Sequence, residues 1–151
     1  MASVPHAGEI APFPGQGAQS VMDAVTSLKA NRLGHGVLAY GNDTALQLLA
    51  HHQVCLDVCP SSNYFLKVVP TKESHPLKKL VERGIPCTIN ADDPLLFGCT
   101  LVGEYEVCRK DLRMDDAMLA KCARSSFLHS RAPDELKTKN LRGIDGWLSS
   151  N

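Results

Sequence analysis

Ile85-Pro86-Cys87-Thr88-Ile89-Asn90-Ala91-Asp92-Asp93-Pro94 is a short apolar, partly β-branched run that stops at two adjacent carboxylates and a proline. Strict alternation is broken and apolar positions outnumber polar ones, as in a strand covered on both faces. Pro94 ends regular structure and biases Asp93 towards an extended conformation. Two neighbouring carboxylates repel each other, so something must offset them. Taken alone, the Asp-Asp-Pro end reads as a solvated turn. At the carboxyl edge of a parallel sheet the same residues read as a metal or substrate site.

Working outward, the same rhythm recurs along the chain. Residues 2–7 read as a first strand, followed by a Pro/Gly-rich loop around Pro12-Phe13-Pro14-Gly15. From about Gln19 the spacing of Val21, Ala24, Val25 and Leu28 is helical. A second strand over 33–38 carries Gly34-His35-Gly36, and Asn42 or Asp43 caps the next helix, which buries Leu46, Leu49 and Ala50. A third strand over 54–59 stops at Pro60-Ser61-Ser62-Asn63. Pro76 opens a helix that ends at Gly84, and the strand over 85–91 follows. Four strands alternating with three helices predict a parallel sheet with right-handed crossovers. Beyond Pro94 the chain turns helical over about 99–148, with Leu101, Tyr105, Cys108 and Leu112 on one face, Asp115 or Asp116 as a cap, and a last amphipathic helix over 133–147. The 151 residues read as a single α/β domain.

Composition narrows the function. Sixteen basic and sixteen acidic residues cancel, and aromatics make up 5% of the chain, so neither nucleic acid nor an anionic membrane is an expected partner. No apolar run approaches the roughly 20 residues that cross a bilayer. Cys55, Cys59, Cys87, Cys99, Cys108 and Cys122 form no C-x-x-C pair and lie mostly in apolar segments, which points to reduced thiols in a cytoplasmic protein.

Every strand delivers reactive side chains at its carboxyl end: His6 and Glu9, then His35, then Ser61, Ser62 and Asn63, then Asp92 and Asp93. Ligands bind at that edge in open parallel sheets and in βα barrels. A lone histidine or a serine turn is more often structural, but four such coincidences in four consecutive units argue for a site. Histidine and aspartate suit a divalent first-row metal such as zinc, and the chemistry suggested is metal-assisted hydrolysis.

His6-Ala7-Gly8-Glu9, Arg32-Leu33-Gly34-His35-Gly36, Cys59-Pro60-Ser61-Ser62-Asn63, His75-Pro76 and Asn90-Ala91-Asp92-Asp93-Pro94, in this order and spacing, resemble the adenosine deaminase family. Gly103-Glu104-Tyr105 and Ser125-Ser126-Phe127-Leu128 look like that family's final helices. The resemblance implies a (β/α)8 TIM barrel of the zinc-dependent amidohydrolase type, with this chain as its C-terminal half, strands five to eight, followed by C-terminal helices. It implies one zinc ion per complete site, with His6 and Asp92 as ligands. Glu9 would protonate N1 of the purine, and His35 would orient and help deprotonate the zinc-bound water. Asp93 would hold N7, Gly8 would contact the substrate, and Ser62 would hold Asp92 from behind. The implied reaction converts adenosine or deoxyadenosine to inosine and ammonia in purine metabolism, with a small purine nucleoside as partner and a monomer or weak oligomer as the complete enzyme. Relatives acting on adenine, N6-methyl-AMP or aminodeoxyfutalosine share these residues, and an inactive remnant serving as an interaction module is the rival of a different class.

Two features depart from the family pattern. The chain has 151 residues against the roughly 250 of a TIM barrel, and it contains no H-x-H pair to supply two further zinc ligands. His51-His52 are adjacent and fall in a predicted helix. The chain therefore reads as a C-terminal fragment with little activity and weak zinc affinity of its own.

Overall fold

Proline and glycine punctuation between apolar runs fixes where the chain turns, and the runs pair with one another. A computed structural model describes residues 3–150. β1 (His6–Ala7) leads to α1 (Gln16–Thr26), and β2 (Arg32–His35) runs through a 3-10 turn (Val37–Ala39) into α2 (Asp43–His52). β3 (Cys55–Val58) continues into α3 (Pro60–Phe65) and α4 (Leu77–Glu82), and β4 (Cys87–Ile89) precedes α5 (Pro94–Phe97), α6 (Leu101–Lys110), α7 (Asp116–Leu128) and α8 (Asp134–Ser149). The strands form one parallel sheet in the order β1-β2-β3-β4. His6 lies opposite Gly34, Gly34 opposite Asp57, and Asp57 opposite Thr88.

That register separates two faces, because side chains alternate along a strand. Leu33, Leu56, Val58 and Ile89 meet Val21, Val25, Leu46, Leu49, Leu77 and Leu80 from the helices, all buried in one core. Each such side chain contributes about 1.5–3 kcal/mol by leaving water. The opposite row is polar or small. There Arg32 Nε donates to both Asp57 oxygens at 2.9 and 2.8 Å, Thr88 Oγ1 donates to Asp57 Oδ1 at 2.7 Å, and Asn90 Nδ2 donates to Thr88 Oγ1 at 2.7 Å. These bonds tie β2, β3 and β4 together on the inner face. Hydrogen bonding to Asp57 raises the Arg32 pKa above its usual value despite partial burial.

The strands are shorter than their apolar runs. Residue 2, where the first run begins, lies outside the described residues, and pairing is confined to His6–Ala7. The second run stops at His35 because His35 and Gly36 both take left-handed backbone, at φ 64 and 76, which turns the chain out of the sheet. The fourth is regular only over Cys87–Ile89. Pro60-Ser61-Ser62-Asn63 is not a turn but the first part of α3, with Pro60 at the first helical position, where its missing N–H costs nothing. Leu28 lies past the end of α1 and is exposed.

Asn42 caps α2 by accepting from the Ala45 N–H, Thr100 caps α6 from Gly103, and Asp115 caps α7 from Met118. α8 persists through Gly143 and Gly146 and lies against α7 with no buried residue of its own. All six cysteines are unpaired, and no helix among the described residues is long and apolar enough to cross a membrane.

Candidate active site

His6 and Glu9 straddle a reversal of the chain. Gly8 takes φ 64, and its N–H donates to Ser20 Oγ at 2.9 Å; a Cβ there would stand 2.5 Å from Val21 Cγ2, so the close approach of β1 to α1 requires glycine. The turn brings Glu9 back over the sheet end. Its carboxylate spans two imidazoles, with Oε2 3.8 Å from His6 Nδ1 and Oε1 3.5 Å from His35 Nε2. The rings stand edge to face, 5.0 Å between centroids. They differ in environment: the His6 side chain is 68% exposed, whereas His35 is 2% exposed and its Nδ1 is buried without a partner.

His35 faces the site because of its backbone. Its neighbour Leu33 belongs to the core, and strand alternation would send residue 35 into the core as well; the left-handed φ at 35 redirects it. Asp92 repeats the device with φ 59 just beyond β4. A non-glycine residue in that region costs roughly 1–2 kcal/mol, and such strain concentrates at functional sites. The Asp92 carboxylate is held by Ser62 Oγ, which donates to Oδ2 at 2.7 Å.

Two clusters result, joined at His35. His6, Glu9 and His35 place ligand atoms within 4.8 Å of one another, and so do His35, Cys59 and Asp92. A cavity of about 400 Å³ is lined by His6, His35, Asp92, Cys59, Asp57 and Asn90, among others. Burial pushes the Cys59 thiol well above its usual pKa, and the facing Asp92, Asp57, Glu104 and Glu9 carboxylates add to the shift.

Asp93 is placed differently from its neighbour. It lies outside the cavity wall, and its Oδ1 accepts the Leu96 N–H at 3.0 Å, capping α5. Gly8, Glu9 and Ser62 are not among the lining residues; Glu9 meets the lining at His6 and His35, and Ser62 at Asp92. His51 and His52 are exposed on α2, edge to face with each other and remote from this edge. A larger, apolar cavity of about 480 Å³ between α6, α7 and α8 holds none of these groups.

Three features of the site go beyond the strand-end residues. Asp57 sits mid-strand on the inner face, and period-two alternation through Cys55, Asp57 and Cys59 would have found it. Glu104 on α6 is 1% exposed and accepts the Ser61 N–H at 3.0 Å through Oε2; the sequence marks it only as part of the family-like Gly103-Glu104-Tyr105, without a role at the site. His75 is buried with Nε2 3.1 Å from Asn63 Oδ1, and burial pulls its pKa down to about 4.

The sequence profile of the family described as Adenosine deaminase matches residues 1–147. A Streptomyces coelicolor protein named putative adenosine/adenine deaminase is 45% identical over 146 residues, 97% of this chain and 41% of that protein. The crystal structure of adenine deaminase from Arthrobacter aurescens superposes with a TM-score of 0.91 at 30% identity, over 99% of this chain and 44% of that one. An amidohydrolase from Burkholderia ambifaria, solved with bound zinc, shares the fold at a TM-score of 0.81 and 20% identity, covering 100% of this chain and 43% of its own. This chain thus spans less than half the length of the relatives it matches. Its parallel sheet and helices are four βα units of the TIM-barrel amidohydrolase fold, followed by C-terminal helices. By profile and by identity alike, the chain belongs to the adenosine deaminase family.

Proposed function

We propose that the chain carries part of the active site of a hydrolytic purine deaminase that converts adenosine or deoxyadenosine to inosine and ammonia. The observation that carries this reading is the convergence of His6, Glu9, His35 and Asp92 on one sheet edge from three separate strand ends. His6 and Asp92 would hold a zinc ion; imidazole and carboxylate suit it, and the buried, unpartnered Nδ1 of His35 marks a site wanting a further polar group. Zinc, when bound, supplies a nucleophile at neutral pH by lowering the pKa of water to about 7.

The remaining roles belong to the protein. Glu9 would give a proton to N1, which makes C6 electrophilic, while His35 takes the proton lost by the water that adds to C6. His35 returns that proton to the amino group as the C6–N bond breaks, so ammonia leaves, and the hydroxyl proton left at C6 passes to Glu9 as the carbonyl forms. Ser62 would keep Asp92 in one rotamer. Asp93 caps α5 with Oδ1 alone, which leaves Oδ2, when it carries a proton, to donate to the purine N7. Gly8 lets Glu9 approach the ring. Adenine is the second reading, favoured by the identity of the Arthrobacter aurescens enzyme as an adenine deaminase. We place the protein in the cytoplasm, in keeping with its six free thiols, and expect the complete enzyme to be a monomer or weak oligomer.

Catalytic zinc sites use three or more protein ligands. With His6 and Asp92 as the family ligands it contains, the 151-residue chain should bind zinc weakly and turn over adenosine slowly. Equilibrium dialysis of purified wild type, His6→Ala and Asp92→Ala tests the site. Weak saturable binding that both substitutions abolish is expected; binding indifferent to both would overturn the assignment. Inosine formation from adenosine, set against release of hypoxanthine from adenine, tests the substrate.

A further inference from the structure

We propose that Glu104 on α6 is a positioning residue for Asp92, acting through the start of α3 and through the Ala91 turn, so that the C-terminal helices set the ligand geometry of the strand-end site. This inference rests on the reading of Asp92 as a metal ligand. Glu104 is 1% exposed, and its Oε2 accepts the Ser61 N–H at 3.0 Å. The next residue, Ser62, equally buried, donates to Asp92 Oδ2 at 2.7 Å. Glu104 therefore fixes the backbone from which the hydroxyl reaching Asp92 is hung.

The other side of the turn is held from the same place. Cys99, next to the α6 cap Thr100, donates its thiol to the Ala91 carbonyl at 3.1 Å, one residue before Asp92. The Glu104 N–H donates to the Thr100 carbonyl at 2.9 Å in the first turn of α6, next to Cys99, so both supports leave from the start of one helix. Asp92 needs both supports, because a left-handed aspartate persists only where its surroundings over-determine it.

A packing role alone does not account for the residue. An apolar side chain of the same size would fill the space without the cost of burying a carboxylate, whose Oε1 here has no hydrogen-bond partner. What the carboxylate adds is a charge-assisted, directional bond to one N–H. Glu104 does not itself line the cavity, and its hydrogen bond to Ser61 carries its effect to Asp92 through Ser62.

The test is a graded series, Glu104→Gln and Glu104→Met, in the 151-residue chain. Gln keeps an oxygen for the Ser61 N–H without the charge; Met keeps the bulk without the acceptor. Two readouts apply: amide hydrogen exchange over residues 59–63 and 90–93 without metal, and cobalt(II) affinity from visible absorption. Outer supports of metal ligands typically change affinity by about 10–100-fold. Met should speed exchange in both segments at least about ten-fold and weaken cobalt about ten-fold, with Gln losing about two- to three-fold. In a Ser62→Ala/Cys99→Ala background, Met should weaken cobalt by less than about two-fold, because both routes are already cut. Lower thermal stability with unchanged exchange and cobalt affinity in both variants would make Glu104 merely structural and overturn the inference. If Met does not fold, Gln decides alone, and wild-type behaviour overturns it. A wild-type chain that binds no cobalt at millimolar concentration refutes the metal reading instead, and the exchange series still decides whether Glu104 holds the Asp92 turn.

Discussion

Gly34→Ala separates the placement of His6 from the stability of the sheet. Gly34 faces His6 across the β1–β2 pair, and a Cβ there would stand 2.6 Å from His6 Cδ2 and 3.0 Å from Nε2. Carbon atoms pack at about 3.5–4.0 Å, so the ring must retreat by about 1 Å. The ring can do so cheaply, because its side chain is 68% exposed and hangs from rotatable bonds. Gly34 is not among the positive-φ glycines, so alanine brings no backbone strain and restricts the unfolded chain, worth about 0.4–1 kcal/mol in its favour. Net stability should therefore stay within about 1 kcal/mol of wild type, while a ligand displaced by about 1 Å should weaken cobalt(II) binding roughly 10–100-fold. Gly36→Ala is the control. It has φ 76, and its Cβ would meet Leu56 Cδ2 at 2.6 Å inside the core. Left-handed strain and overpacking together should cost about 2–4 kcal/mol. Urea denaturation and cobalt titration of both variants, with the His6 ring resonances followed by NMR, test the contrast. The reasoning fails if Gly34→Ala binds cobalt like wild type with unmoved His6 resonances, or if it loses as much stability as Gly36→Ala.

Asp92→Ala should lose metal binding, whereas Asp93→Ala should keep it within about three-fold and cost about 1 kcal/mol as a lost cap; equal retention of metal by both would refute the division of labour. His75 has a folded pKa of about 4 against an unfolded value near 6.5, so the unfolded chain takes up the proton first. Its contribution is intact above about pH 6.5 and is lost as pH falls through 4, by as much as about 3 kcal/mol. His75→Gln should flatten the urea-midpoint profile over that window, and an unchanged wild-type slope would refute it. Asp57→Ala should cost about 1–3 kcal/mol, discounted from the buried-pair range because both partners are about one-fifth exposed. A double-mutant cycle with Arg32→Met should give a coupling near 1 kcal/mol, and a value near zero would dismiss the inner-face tie.

The βα rhythm was legible because apolar runs, proline and glycine act locally. Pro60, Asn42 and Asp115 mark element starts whatever the tertiary context, and the core positions follow from periodicity. Strand lengths were not legible, since apolar character continues past the last paired residue: Val37 and Leu38 extend the second run, yet pairing stops at His35 where φ changes sign. The polar strand-end residues could be picked out one by one, but not their backbone. An aspartate before Asp-Pro and a histidine between two glycines do not declare a left-handed φ, and that conformation is what aims both side chains. The role of Glu104 was invisible for the complementary reason. It lies far along the chain from the residues it supports, and burial by packing leaves no local mark.

Sheet curvature explains how the site can exist on these four strands. His6 lies in β1 and Asp92 just beyond β4, the two outermost strands. In a flat sheet with strands about 4.8 Å apart, those strands would lie about 14 Å from each other, too far for two side chains to share an ion. Yet His6 and Asp92 line one cavity, with His35 between them, its ring 5.0 Å from that of His6 and a nitrogen within 4.8 Å of an Asp92 oxygen. The inner face is built to curl: Gly34 has no side chain to resist the approach of β1, and the Arg32–Asp57–Thr88–Asn90 bonds draw β2, β3 and β4 together from the same side. Loosening that tie should open the edge and part His6 from Asp92 without touching either. Asp57→Ala should therefore weaken cobalt binding by more than its stability loss alone accounts for, in a sample kept well below its denaturation midpoint. Cobalt affinity equal to wild type in that variant would mean that the edge strands are held together by the helices instead.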